Sequence, residues 1–318
     1  MQRLLITRRL PGRVLDAARA RFDVTLRDRT EVLSPEELRA ALRDYDAVLP
    51  TLGDRFQADV FADVSAPRAK ILANFGVGYN HIDAVAAKAA GLAVTNTPGA
   101  VTDATADIAV SLILMTARRL GEGERVLRAG GWDGWGPVQM LGTHVTGKRL
   151  GIIGFGRIGK AIAKRCHYGF DMEVVFHNRS RVEDPGLPAR QVEMAEAMAS
   201  DFVVVAVPGS RETYHLIDAK VLGMMRKTGI FVNISRGDVV DETALIDALQ
   251  QGRIAGAGLD VYEFEPKVPV ALMAMENVTL LPHLGTACLE VRENMGMMAV
   301  ENLIAWAEGR TPPNLVNP

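Results

Sequence analysis

The fold is decided by residues 150–181, which read LGIIGFGRIGKAIAKRCHYGFDMEVVFHNRSR. The stretch begins with a short apolar run rich in β-branched residues, continues into a segment of helical composition, and ends in a second apolar run at 173–177. Such runs bounded by a glycine turn are typical of buried strands. Between the first strand and the helix, Gly154, Gly156 and Gly159 form the pattern G-x-G-x-x-G. The order strand, glycine turn, helix, strand predicts a dinucleotide-binding βαβ unit.

Each glycine of this pattern has a separate physical reason. Gly154 allows the tight turn, Gly156 lets the backbone approach a pyrophosphate, and Gly159 lets the helix pack closely on the strand. The unpaired N–H groups at the start of the helix then face the phosphates. Glycine turns without a ligand are common, so the alternative is a plain turn. The flanking strands and helix favour the cofactor site.

The end of the second strand indicates which dinucleotide binds. Sites for NAD place an Asp or Glu there, about 20 residues past the glycines, to bind the ribose 2′-hydroxyl. This chain has Asn178, Arg179, Ser180 and Arg181 instead. Two guanidinium groups and a hydroxyl can hold a 2′-phosphate by charge-assisted hydrogen bonds. The segment therefore favours NADP(H) over NAD, although both arginines could also be ordinary solvated loop charges.

Composition excludes several classes of protein. The 318 residues carry a net charge of −2, which argues against nucleic acid as the main partner. Arginines interrupt the first apolar residues, so we expect no signal peptide, no membrane segment and a cytoplasmic location. Cys166 and Cys288 are the two cysteines, and no CxxC occurs. Neither a disulfide framework nor a metal site is expected.

The rest of the chain alternates between apolar strands and helical patterns. Further strands are expected at 3–7, 22–26, 47–50, 70–75, 202–207, 229–235, 254–261 and 278–282. A long connecting helix is expected over 104–126 and a final helix over 287–307. The alternation predicts an α/β protein with two doubly wound parallel-sheet domains. A Rossmann-type dinucleotide domain, 99–285, would be inserted in a split, flavodoxin-like substrate domain, 1–98 and 286–318.

Three polar residues follow apolar strands, where a structural core has no need of them. They are Arg236 in NISRG, Glu265 in LDVYEFEP and His283 in LLPHLG. Because the carboxyl ends of parallel strands meet at one edge, all three are expected beside the cofactor. Reduction of a 2-keto acid needs a forked cation for the carboxylate, a proton donor and a charged partner for that donor. Each residue alone has an ordinary structural explanation, but the set together predicts this chemistry.

Two loops add candidate binding surfaces. The segment NFGVGYNHID at 74–83 places two glycines after a strand, where backbone N–H groups can bind a carboxylate. The segment GGWDGWGP at 130–137 carries Trp132 and Trp135, which form either a local anchor or a contact surface.

These motifs resemble the D-isomer-specific 2-hydroxyacid dehydrogenase family. The similarity rests on GFGRIG, NISRGDVVDETALIDAL, AGAGLDVYEFEP, LLPHLGT, NFGVGYNHID and the TPG at 97–99, and it spans nearly the whole chain. The resemblance implies two domains with the active site in the cleft and a homodimer built through the cofactor domains. It implies that Arg236 binds the substrate carboxylate, that His283 is the acid/base and that Glu265 is its partner.

The resemblance also implies further contacts. The substrate would meet Leu52, the backbone N–H groups of Val77 and Gly78, and a tryptophan of the partner's loop, Trp135 in preference to Trp132. Asp260 would bind the nicotinamide amide. The full set of implied cofactor-binding residues is Gly154, Phe155, Gly156, Arg157, Ile158, Gly159, Asn178, Arg179, Ser180, Arg181, Val207, Pro208, Thr213, Ile234 and Asp260.

Within the family, HNRSR-like strand ends accompany NADPH in the branch that reduces glyoxylate and hydroxypyruvate, so that activity is expected. Two alternatives remain open. One is an NAD-dependent enzyme for another substrate, namely D-lactate, D-3-phosphoglycerate or an aromatic keto acid. The other is a dinucleotide-gated binding protein like the corepressors of the family. Formate dehydrogenase activity is disfavoured, because those members carry glutamine at the position of Glu265.

Overall fold

The structure is a computed structural model that describes residues 1–318. The chain forms two compact units, one of residues 1–101 and 287–318 and the other of residues 102–286. The second unit therefore interrupts the first in sequence. Each unit has its own sheet and its own hydrophobic core.

The first unit is built on a five-stranded sheet in the order β2-β1-β3-β4-β5. All of its strand pairs are parallel. This is the doubly wound order of flavodoxin-like folds, as the sequence predicted. Its strands are β1 (Arg3–Ile6), β2 (Asp23–Leu26), β3 (Ala47–Leu49), β4 (Ile71–Ala73) and β5 (Ala93–Thr95), and its first helices are α1 (Gly12–Arg19), α2 (Pro35–Asp44), α3 (Ala58–Ala62) and α4 (Ala84–Ala89).

Both faces of this sheet are covered. In β1, Leu4 and Ile6 enter one apolar cluster while Leu5 enters the other. Successive strand residues point to opposite faces, so a strand covered on both sides needs an apolar residue at every position. The continuous apolar runs in the sequence reflect this arrangement.

The second unit has a seven-stranded parallel sheet in the order β12-β11-β10-β9-β6-β7-β8. Strand order reverses at β6, which lies between β7 and β9, and ligands of such sheets bind at this reversal. The strands are β6 (Arg149–Ile153), β7 (Glu173–His177), β8 (Ala189–Gln191), β9 (Phe202–Val205), β10 (Ile230–Asn233), β11 (Gly256–Leu259) and β12 (Val278–Leu280). The helices are α5 (Thr102–Ala117), α6 (Leu120–Arg128), α7 (Arg157–Phe170), α8 (Met194–Met198), α9 (Ala219–Leu222), α10 (Glu242–Gln250) and α11 (Val270–Met273).

Two helix boundaries differ from the sequence prediction. The helix expected over 104–126 is broken into α5 and α6, because Arg119 adopts a left-handed conformation with φ of 53° and pairs with Glu122. The sequence pattern predicts that Gly169 ends the helix after the glycine turn, but this residue lies inside α7. That helix ends instead at Asp171, whose φ is 51°.

Capping residues are present at the ends of α2 and α10. Ser34 and Glu37 form a reciprocal capping box at the start of α2. Asp241 accepts from the backbone N–H of Ala244 at 3.0 Å and caps α10, and Gly252 follows that helix with φ of 59°. These caps satisfy backbone groups that would otherwise lack partners at the helix ends.

The final helix, α12 (Leu289–Ala307), belongs to the first unit, where it packs on α1 and β4. No helix of the chain combines the length and the apolar character that a membrane crossing requires.

Candidate active site

The carboxyl edge of the second unit's sheet collects the polar residues singled out in the sequence. Arg236 follows β10, Glu265 follows β11 and His283 follows β12, and these strands are parallel neighbours. The three side chains therefore emerge at the same edge, on the same side as the glycine turn after β6.

His283 and Glu265 form a direct pair, with Nδ1 of the imidazole 2.9 Å from Oε2 of the carboxylate. The other carboxylate oxygen accepts from the backbone N–H of Tyr262 at 3.1 Å. Burial alone would raise the pKa of Glu265, but its contacts with His283, Tyr262 and Arg236 outweigh burial and lower it. The carboxylate is thus ionised beside the imidazole, and both side chains are 31% exposed.

Asp260 holds the turn that carries His283. Its main-chain oxygen accepts from the N–H of His283 at 3.0 Å, and its carboxylate accepts from the N–H groups of Leu284 at 2.6 Å and Gly285 at 2.9 Å. His283 has a φ of 55°, a conformation that costs a non-glycine residue about 1–3 kcal/mol. The three hydrogen bonds to Asp260 offset that strain. Burial raises the pKa of Asp260, although these N–H groups favour its ionised form.

Arg236 is held by its own loop. Its Nη1 donates to the carbonyl of Ser235 at 2.7 Å, and its carbonyl accepts from Nδ2 of Asn233 at 3.0 Å. Burial lowers the pKa of Arg236 from its ordinary value, while the charges of Glu265 and Asp238 act in the opposite sense. Because a guanidinium is a very strong base, the group stays cationic at neutral pH. A fork of donors with fixed positive charge suits a carboxylate ligand.

A second histidine–glutamate pair, which the sequence did not reveal, lies beside the first. Nε2 of His215 is 2.9 Å from Oε1 of Glu263, whose side chain is 10% exposed. Glu263 and Glu265 flank Phe264 in the same short segment. The sequence YEFEP carries two acidic residues, and nothing in the pattern alone indicates that each meets a histidine.

The glycine turn has the geometry that a dinucleotide requires. Gly154 has a φ of 96°, which favours glycine. A Cβ on Gly159 would lie 2.3 Å from the carbonyl oxygen of Gly154, so the helix packs too closely on the turn here for any residue with a side chain. A Cβ on Gly156, by contrast, would meet no atom within 4 Å. Open space at this glycine, beside the N-terminus of α7, fits the approach of a pyrophosphate.

Two residues of the predicted cofactor set have structural contacts of their own. The Phe155 side chain is buried and stacks on Phe176 with ring centroids 3.7 Å apart. Asn178 accepts from the N–H of Phe155 at 3.1 Å and donates to the carbonyl of Ser180 at 2.8 Å. Phe155 can therefore meet a cofactor only through its backbone, and Asn178 ties the glycine turn to the loop after β7.

The arginines of that loop are paired with carboxylates. Arg179 pairs with Glu212, and Arg181 lies 3.2 Å from Glu183. All four side chains are at least 73% exposed. Glu212 lies 33 positions from Arg179 in the sequence, so the strand end alone does not indicate this pair. Exposed ion pairs of this kind are weak, worth about 0–1 kcal/mol. Either arginine can therefore leave its glutamate and bind a phosphate group instead.

The remaining predicted cofactor contacts lie at strand ends of the same sheet. Val207 and Pro208 follow β9, and Ile234 follows β10 and is buried. Thr213 donates to the carbonyl of Pro208 at 2.8 Å and closes the loop after β9. Arg157 and Ile158 open α7.

The predicted substrate residues of the first unit lie at the carboxyl edge of its own sheet. Leu52 follows β3 and is 39% exposed, and Val77 and Gly78 are in the loop after β4. Trp132 and Trp135 belong to the second unit, where they are 54% and 82% exposed.

A doubly wound unit with this glycine turn and an Arg, Glu and His set at the same edge defines a dinucleotide-dependent oxidoreductase. Comparison with known proteins agrees. Residues 110–285 match the model of the D-isomer specific 2-hydroxyacid dehydrogenase family, NAD binding domain. The chain is 44% identical to a glyoxylate reductase of Thermococcus onnurineus over 99% of this chain and 96% of that protein.

Solved structures agree as well. A protein of Thermus thermophilus superposes with a TM-score of 0.91 at 40% identity, over 99% of both chains. An NADPH-dependent glyoxylate/hydroxypyruvate reductase of Sinorhizobium meliloti, in complex with NADP and malonate, superposes with a TM-score of 0.86 at 36% identity, over 99% of this chain and 96% of that one. The chain belongs to the D-isomer specific 2-hydroxyacid dehydrogenase family.

Proposed function

We propose that the chain reduces small 2-keto acids of the glyoxylate and hydroxypyruvate type to D-2-hydroxy acids, with NADPH as the preferred reductant. The observation that carries the proposal is the Arg236, Glu265 and His283 set, with its 2.9 Å imidazole–carboxylate contact, at the edge that also holds the glycine turn. The names of the relatives support the same substrate class.

In this proposal Arg236, His283 and Glu265 have separate roles in binding and proton transfer. Arg236 binds the substrate carboxylate in two-pronged fashion, and the backbone N–H groups of Val77 and Gly78 are proposed as further donors to the substrate carboxylate. Nδ1 of His283 is engaged by Glu265, so Nε2 is the atom that faces the keto oxygen. The ionised Glu265 favours the charged imidazolium and fixes the orientation of the ring.

The bound nicotinamide supplies the hydride that reduces the carbonyl carbon. His283 transfers its Nε2 proton to the oxygen as negative charge develops there, which gives the hydroxyl group of the product. Arg236, being cationic and next to the reacting carbonyl, also stabilises that developing charge. Asp260 keeps the His283 turn in place, and its remaining lone pairs can accept from the carboxamide of the nicotinamide.

The preference for NADPH rests on the loop after β7. Arg179 and Arg181 are highly exposed and can turn from their glutamate partners to a 2′-phosphate. No Asp or Glu occupies the strand end itself, where NAD-specific sites place one. An NADH-dependent enzyme is the main competing outcome, because Glu212 and Glu183 already neutralise these arginines.

A keto acid panel tests the proposal. Glyoxylate, hydroxypyruvate, pyruvate and phenylpyruvate are assayed with both NADPH and NADH, and the chirality of the product is determined. The expected result is the highest kcat/KM for glyoxylate or hydroxypyruvate with NADPH, and D-glycerate from hydroxypyruvate. Absence of turnover with every pair, despite measurable dinucleotide binding, would contradict the enzymatic proposal and favour a binding protein.

A further inference from the structure

The loop after β4, residues 74–81, is fixed by side-chain amides. Asn74 immediately follows the strand and is fully buried. Its Nδ2 donates to the carbonyl oxygens of Gly76 and Gly78, both at 3.0 Å. One side chain thus binds two carbonyl groups of the same turn.

A second asparagine donates to the carbonyl group of Val77, the residue between Gly76 and Gly78. Asn96 follows β5, the neighbouring strand, and its Nδ2 donates to the carbonyl of Val77 at 2.9 Å. The backbone N–H of Thr97 adds a further bond to the Gly76 carbonyl at 3.1 Å. The carbonyl oxygens of three consecutive residues, 76, 77 and 78, are therefore all engaged by donors from the strand ends.

The planar peptide bond links these carbonyl contacts to the direction of the N–H groups. In a trans peptide the C=O of one residue and the N–H of the next point in opposite directions. Fixing the Gly76 and Val77 oxygens on Asn74 and Asn96 therefore turns the Val77 and Gly78 N–H groups away from those amides. Successive backbone N–H groups that are not used by the fold can bind an anion.

His81 fixes the orientation of Asn74. Its Nε2 lies 3.0 Å from Oδ1 of Asn74, and both residues are buried. An amide oxygen only accepts hydrogen bonds, so the His81 nitrogen is the donor. This contact keeps the amide oxygen of Asn74 on His81 and its NH₂ group on the loop carbonyls.

We propose that Asn74 and Asn96 are positioning residues for substrate binding, which aim the Val77 and Gly78 N–H groups at the carboxylate of the keto acid. This rests on the proposed function, in which those N–H groups bind the substrate. The side chains of Asn74 and Asn96 act only through the backbone that they hold.

The test compares Asn96→Ala with Asn317→Ala. Asn317 is a matched control, because its Nδ2 also donates to backbone carbonyls of the first unit, at Ala84 and Leu92, but not to the loop at 76–78. Asn74→Ala is the second loop variant, less preferred because its site is fully buried. Each variant is assayed for the KM of the keto acid, the KM of NADPH and inhibition by oxamate, a carboxylate analogue of the substrate.

The expected result for Asn96→Ala is a rise of about 10-fold or more in the keto acid KM and the oxamate inhibition constant, since charge-assisted hydrogen bonds lose strength when misaligned. The NADPH KM should stay within about twofold, and Asn317→Ala should change neither substrate constant. Equal effects of Asn317→Ala, or a loop variant with unchanged keto acid KM and oxamate inhibition, would overturn the inference. A wild type that reduces no keto acid would instead refute the proposed function.

Discussion

His283 and Glu265 lie 2.9 Å apart, Nδ1 to Oε2, at the ends of neighbouring parallel strands. The contact lowers the pKa of Glu265 against the opposing effect of burial. Because the pKa of Glu265 is lowered, the carboxylate stays ionised as the pH falls through the ordinary glutamate range, and the pair is lost only below that range.

The first prediction concerns the pH dependence of reduction. Glu265→Gln removes the negative charge that pairs with Nδ1 of His283, so the alkaline fall-off of kcat/KM should move to lower pH. Profiles of kcat/KM for the keto acid in wild type and variant measure this. An alkaline limb that does not move would exclude Glu265 as the electrostatic partner of His283.

The second prediction concerns proton donation. His283→Ala should depress kcat by about 10²–10⁴-fold, the usual contribution of a general acid. Dinucleotide binding, measured by fluorescence or calorimetry, should change little. A loss of dinucleotide affinity that matches the loss of turnover would mean that the variant disrupts the turn held by Asp260.

The third prediction concerns the carboxylate clamp. Arg236→Lys keeps the charge but loses the planar fork, so it should raise the keto acid KM almost as much as Arg236→Ala does. Steady-state kinetics at saturating NADPH measure both variants. Full recovery by lysine would mean that charge alone is required at this position.

The fourth prediction concerns cofactor choice. Alanine at both Arg179 and Arg181 should raise the KM for NADPH much more than that for NADH, because only NADPH carries the 2′-phosphate. Kinetics with each cofactor at saturating keto acid decide the point. Equal changes for both cofactors would identify these arginines as structural.

Glu212→Gln is the matched companion to that experiment. The substitution removes the carboxylate that competes for Arg179 without shortening the side chain. Since such exposed pairs are worth about 0–1 kcal/mol, the NADPH KM should fall by up to about fivefold. The NADH KM should stay unchanged, and a rise in the NADPH KM would contradict competition by Glu212.

Local pattern was enough to predict the sheets and the edge that carries Arg236, Glu265 and His283. Strands buried on both faces give continuous apolar runs, and a polar residue that follows such a run stands out. The strands β5 and β8 were missed: both are short strands at the edge of a sheet, and β8 reads Ala-Arg-Gln, which is not an apolar run.

Contacts between distant parts of the chain could not be predicted. Glu212 meets Arg179 across 33 positions, and His215 meets Glu263 across 48. The break between α5 and α6 depends on the left-handed Arg119, a conformation that an arginine seldom adopts and that composition does not reveal. Sequence position alone gives neither kind of information.

The last prediction concerns Gly237, which directly follows Arg236. A Cβ there would lie 1.8 Å from the carbonyl carbon and 2.0 Å from the carbonyl oxygen of Tyr262, the residue whose N–H binds Glu265. Backbone cannot move aside cheaply, so Gly237→Ala should destabilise by about 1–3 kcal/mol or more. That corresponds to a Tm lower by about 2–12 °C, and keto acid turnover should fall because the Arg236 and Glu265 loops separate.

Gly169→Ala is the control for Gly237→Ala: Gly169 lies within α7, and no atom lies within 4 Å of the added Cβ. It should stabilise by about 0.5–1 kcal/mol with activity unchanged, because alanine loses less entropy than glycine in a helix. Thermal unfolding and kinetics of both variants measure this, and a Gly237→Ala enzyme with wild-type Tm and turnover would show that the two loops are not held in contact.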